Sequence, residues 1–151
     1  MIERKFSDLS KLTYRIFTLE RKIAHTVRLT VLEWNGTFGD GARGNDDGVF
    51  IRVTTLAVLA SWPAHGIVFD LRNLHYVWGD KIWEMYGRGI DPSGVEDLPY
   101  ATVISDKCKP GFETCMSIIA PAFEQLDDAI NAVVKRSHLR LVESFAELDG
   151  G

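Results

Sequence analysis

Apolar and polar residues alternate from Leu12 to Leu19, with Tyr14 and Ile16 on one side. They alternate again from Ile23 to Trp34, where Ile23, Val27, Leu29 and Val31 face one way and Thr26, Arg28 and Thr30 the other. A period of two predicts a half-buried strand in each run, and the link Glu20-Arg21-Lys22 is short enough to join them as a hairpin. The pattern then stops: Asn35 to Gly48 holds five glycines, which predicts a flexible surface loop over 36–48. Period 3.6 follows, with Phe50, Val53, Thr54, Ala57 and Val58 at i, i+3, i+4, i+7 and i+8. Asp46 or Asp47 is placed to cap this helix, and Pro63 ends it near Trp62.

The second half reads in shorter units. Gly66 to Leu71 is a continuous apolar run bounded by turn residues, as expected of a central strand buried on both faces. Leu74, Tyr76 and Trp78 alternate after it, and Gly79-Asp80 opens a second short helix carrying Ile82, Trp83, Met85 and Tyr86. Gly87 to Pro99 reads as a loop, Tyr100 to Ser105 as a strand, and Lys109-Pro110-Gly111 as a turn. Phe112 to Ile119 fits a helix or a strand equally. Phe123, Leu126, Ile130, Val133 and Val134 mark a terminal helix with Asp127 and Asp128 outward. The expected organisation is a flexible lead-in over 1–11, one α/β domain over 12–136 with helices packed on a mixed sheet, and a C-terminal extension over 137–151.

Composition narrows the classes of function. The 151 residues are 46% hydrophobic, with four Trp and eight Phe, so a core can form without disulfide or metal. A net charge of −4 and the lack of a dense Lys/Arg run argue against a generic nucleic-acid binder, whose affinity rests on phosphate neutralisation. Two cysteines are too few for a secreted disulfide framework, and Met1 to Lys5 carries no apolar signal core, so the cytoplasm is the expected location. Val49 to Trp62 is too short and too interrupted by polar residues for membrane insertion.

Catalytic chemistry finds little support in the spacing. The four histidines, His25, His65, His75 and His138, form no zinc-ligand pattern. Lys107 and Lys109 flank Cys108 and would favour its thiolate, but the distance to Cys115 matches no redox motif. The glycine-rich segment ends in Asp46-Asp47-Gly48, where a phosphate loop needs Lys and a hydroxyl, and its acids lack calcium-loop spacing. Asp70 at the end of an apolar strand reads as a structural hydrogen-bonding residue. No cofactor, metal or enzymatic activity is expected.

The segment Ile67-Val68-Phe69-Asp70-Leu71-Arg72-Asn73-Leu74-His75-Tyr76-Val77 resembles a STAS domain, the fold of anti-sigma-factor antagonists and sulfate-transporter tails. Leu29 to Gly36 matches the family's opening strand, and Phe123-Glu124-Gln125-Leu126-Asp127-Asp128-Ala129-Ile130 is similar to the start of its last helix. The resemblance spans roughly residues 25 to 136. It implies a regulatory module that binds a protein partner or a second copy of itself. Family regulators carry Asp-Ser, with a phosphorylatable hydroxyl, at the turn where this chain has Trp78-Gly79-Asp80, so the resemblance also implies loss of the serine switch. Asp80 reads first as a helix cap. Tyr76, Trp78, Gly79, Asp80, Trp83 and Tyr86 are the expected interface residues, because aromatic side chains anchor protein interfaces. A small cytosolic inhibitor, such as a toxin immunity protein, fits the size and acidity as the alternative.

Overall fold

A computed structural model of the chain describes residues 2–86, 98–113 and 122–149. Most of the expected loop at Gly87–Pro99, the undecided stretch beyond Glu113, and Cys115 lie outside the described residues. Five strands form one sheet in the order β1-β2-β3-β4-β5: β1 (Thr13–Lys22), β2 (Thr26–Thr37), β3 (Gly66–His75), β4 (Tyr100–Val103) and β5 (Ala122–Phe123). The β1–β2 pair is antiparallel and every other pair is parallel. The sheet is therefore mixed, and the fold is α/β.

The strand order advances in one direction from β2 to β5. Parallel crossovers share one hand, so the connections between parallel strands should fall on the same face. Their described parts do. Helix α1 (Asn45–Ser61), a 3-10 helix (Asp80–Tyr86) and the short α2 (Lys109–Glu113) contribute to one core with Leu32, Trp34, Ile67, Phe69 and Leu71 from the sheet. The long helix α3 (Leu126–Asp149) is left to cover the other face, where Ala129, Ile130 and Val133 pack on Val27, Leu29, Val31, Val68, Ala101 and Val103. From Gly66 to Leu71 every residue of β3 is buried, as a strand covered on both faces requires.

Several details depart from the sequence pattern, each for a physical reason. The hairpin turns at Ile23-Ala24-His25 instead of Glu20–Lys22, because Glu20, Arg21 and Lys22 continue β1 opposite Arg28, Val27 and Thr26. Charged residues are tolerated there since β1 is the sheet edge. Ile23 consequently lies in the turn, half-exposed, and shares no strand face with Val27. Thr30, expected on a polar face, is buried, because the α1 layer covers β2 on that side. Helix α1 buries Phe50, Ile51, Thr54, Thr55 and Val58 while Ala57 stays exposed. Its inward face is rotated because the helix is wedged between the sheet and the 3-10 helix. The boundary expected at 136/137 falls inside α3: Ser137 is buried, and its hydroxyl donates to the carbonyl of His65 at 2.7 Å.

The segment expected as a flexible loop is built into the fold. Gly36 belongs to β2, Gly41–Gly44 forms a 3-10 turn, and Gly48 lies in α1. Gly44 leads α1, so neither Asp46 nor Asp47 is its cap. Asp47 instead accepts hydrogen bonds from the Gly39 N–H at 2.8 Å and from the Ser10 hydroxyl, tying the segment to the residues before β1.

Candidate functional site

β3 ends at His75, and the chain beyond it must turn sharply to enter the 3-10 helix. Tyr76 anchors this turn from below. Its ring is buried, edge-on to Phe38 and Phe112 at centroid distances of 5.7 and 5.3 Å. Its hydroxyl donates to the Gly79 carbonyl at 2.6 Å, which closes the turn. Gly79 adopts φ +131°, a conformation side chains rarely accept, so glycine is required on backbone grounds alone. A Cβ there would also approach the amide nitrogen of Gly41 to 3.3 Å. The turn and the glycine-rich segment are thus packed against each other, which no linear pattern indicated.

Trp78 lies over that junction. A Cβ on Gly41 would fall 2.5 Å from its indole ring, and Gly41 itself has φ +54°. The absence of a side chain at Gly41 lets the indole rest on the backbone. Even so, Trp78 is 57% exposed, and its neighbour Val77 is 42% exposed. Tryptophan is among the residue types that most often anchor interfaces. Asp80 begins the 3-10 helix and is exposed. Among the described residues its carboxylate has no hydrogen bond or ion pair, so it is not the expected helix cap and presents its charge to solvent beside Trp78. Across the junction, Arg43 and Asp40 form a surface ion pair at 3.2 Å.

The other expected interface residues support the site from inside. Tyr86 is 6% exposed; its hydroxyl bonds the Thr102 hydroxyl at 2.7 Å, and burial pushes its phenol well above the ordinary range. Trp83 is half-buried, stacked on Tyr86 and edge-on to Phe112. Of the six, Trp78, Gly79 and Asp80 reach the surface, while Tyr76, Trp83 and Tyr86 hold the floor. Gly41 of the Gly39–Arg43 segment meets Trp78 and Gly79 only through a tertiary contact that the sequence pattern does not signal.

The remaining candidates for chemistry are accounted for structurally. Asp70 is buried and clamped by Arg72, whose Nε and Nη2 donate at 2.9 and 2.7 Å. Its register neighbour Glu33 is held by Arg15 in the same way, at 2.6 to 3.1 Å. These carboxylates raise both guanidiniums further, chiefly through the hydrogen bonds. Cys108 is fully buried, and desolvation pushes its thiol up, so the flanking lysines do not make it reactive. His25 and His138 come within 5.9 Å ring to ring, but among the described residues no group of three His, Cys, Asp or Glu side chains is arranged to hold a metal. No described helix is long and apolar enough to cross a membrane.

No family model and no curated protein matches the sequence. Among solved structures, the chain is similar to an anti-sigma factor antagonist from Mycobacterium paratuberculosis, with a TM-score of 0.50 and 17% identity over 79% of this chain and 94% of that chain. At that identity the likeness is one of fold. It places the five-stranded sheet and its helices in the STAS-like architecture.

Proposed function

We propose that the chain is a non-catalytic regulatory module that docks a protein partner on the surface made by Val77, Trp78 and Asp80 with the Gly39–Arg43 segment, and that this docking needs no phosphorylation. One observation carries the reading: the half-exposed Trp78 indole is seated on Gly41 beside an unpaired carboxylate, in a turn fixed by Tyr76 and Gly79. Burying such an aromatic anchor supplies much of an interface's affinity, and a fixed turn has little conformational freedom left to lose on binding. The solved structure of the same fold is described as an anti-sigma factor antagonist, which supports a regulatory role. Residue 79 has no hydroxyl to phosphorylate, so the free carboxylate of Asp80 supplies a constant negative charge at the turn.

The test is affinity capture with the tagged full chain and its Trp78→Ala variant, compared quantitatively with and without phosphatase. The reading predicts a partner retained by the wild type, unaffected by phosphatase, and reduced at least ~10-fold by the variant, corresponding to about 1.4 kcal/mol. Equal retention by both proteins, or loss on phosphatase treatment of the bait, rejects it. Circular dichroism of the variant should be unchanged, because the removed side chain is largely outside the core.

A further inference from the structure

At the other ends of the strands, away from Trp78, a cleft of about 360 Å³ opens between the end of α1 and the β1–β2 pair, with Thr18, Glu20, Arg28, Thr30, Ser61 and Trp62 in its lining. Its size is within the range of small-molecule sites. Glu20 and Arg28 are register partners across β1 and β2, which sets their Cβ atoms about 5 Å apart. Among the described residues, neither side chain is taken up in an ion pair. The backbone of Arg28 is fixed: its N–H donates to His65 Nδ1 at 3.1 Å, and its carbonyl accepts from the His65 N–H at 2.8 Å. Thr30 closes the floor and is fully buried. Trp62, half-exposed, forms one wall. On its far side a second, apolar hollow of about 340 Å³ shares Ser61 and Trp62 and is bounded by Tyr14, Ile16, Phe50 and Val53.

We propose that this cleft binds a free α-amino acid with an apolar side chain. The charges select the class. A simple anion meets Glu20, a simple cation meets Arg28, and a hydrocarbon leaves both charges unanswered. A molecule with a carboxylate and an ammonium on one carbon satisfies the pair together: Arg28 takes the carboxylate in its planar fork and Glu20 takes the ammonium. The ligand side chain lies against Trp62, Pro63 and Ala64, which line the same cleft. This site is separate from the docking surface and stands or falls apart from it.

The experiment titrates L-leucine and L-phenylalanine into the full chain and follows the backbone amides of Thr18, Thr30 and Trp62 by NMR. Isoamylamine and 4-methylpentanoate serve as analogues that each keep one charge. Saturable shifts with at least one amino acid are expected, with both analogues at least ~10-fold weaker. Arg28→Gln and Glu20→Gln should each weaken the amino acid by a similar factor, and Glu20→Gln should improve 4-methylpentanoate. Both side chains are exposed, so these variants keep the fold. No saturable shift with a dissociation constant below about 10 mM, equal binding of a one-charge analogue, or indifference to Arg28→Gln overturns the proposal.

Discussion

Gly41 and Gly79 illustrate how single residues position the candidate surface. Each has a positive φ, and each lies where a side chain would push the turn and the glycine-rich segment apart. Gly41→Ala should cost roughly 1–2 kcal/mol through its left-handed backbone, and should also lift Trp78 from its seat. Urea unfolding measures the first effect, and acrylamide quenching of tryptophan fluorescence the second; an unchanged midpoint with unchanged quenching contradicts the packing. Asp70 shows the opposite situation, a charge held inside. Asp70→Ala removes the acceptor for Arg72 and leaves a polar gap beside Glu33, so a loss of about 2–4 kcal/mol is expected in the same unfolding measurement. A loss below about 1 kcal/mol, the range of exposed ion pairs, would show that the clamp is a surface feature. The sequence identified Asp70 as structural because a carboxylate ending an apolar run needs partners. It did not separate Trp78 from Trp83, since both are aromatic residues near a turn and only the tertiary fold leaves one outside.

At the scale of elements, legibility followed burial. β3 was readable because a strand covered on both faces must be apolar throughout, and Gly66 to Leu71 is. β1 was readable only in part: at the sheet edge, Glu20, Arg21 and Lys22 face water, so no apolar alternation marks its end. Helix α3 continues through residues set apart in the sequence as a C-terminal extension, where the Ser137 hydroxyl bonds the His65 carbonyl. The glycines of 36–48 read as mobility because composition does not distinguish a free chain from one packed too closely for side chains. The α1–β3 connection carries its own prediction. His65 Nδ1 accepts the Arg28 N–H, which requires a neutral imidazole. Burial first, and Arg28 second, lower its pKa below the ordinary 6.5. A depressed value in the folded state means that its contribution is complete above 6.5 and is lost as pH falls through the folded value. Between about pH 7.5 and pH 5, the urea midpoint of the wild type should therefore fall more than that of His65→Ala. Parallel declines would contradict the bond.

For the whole molecule, strand order and crossover handedness separate the two proposed binding surfaces. The described parts of the crossovers pack on one face of the sheet and α3 covers the other. The Trp78 turn stands where β3 leaves the sheet, and the amino-acid cleft lies at the opposite ends of the strands, so the two surfaces are far enough apart to be tested separately. An acidic chain with an aromatic anchor and a free carboxylate suits a partner with a basic rim around an apolar pocket. The most direct test is hydrogen exchange of the full chain alone and in complex with the captured partner. Slowed exchange confined to residues 39–43 and 77–81, with α3 unchanged, is the predicted footprint. Protection centred on the outer face of α3, around Leu139 and Val142, with the Trp78 turn unaffected, would contradict the account.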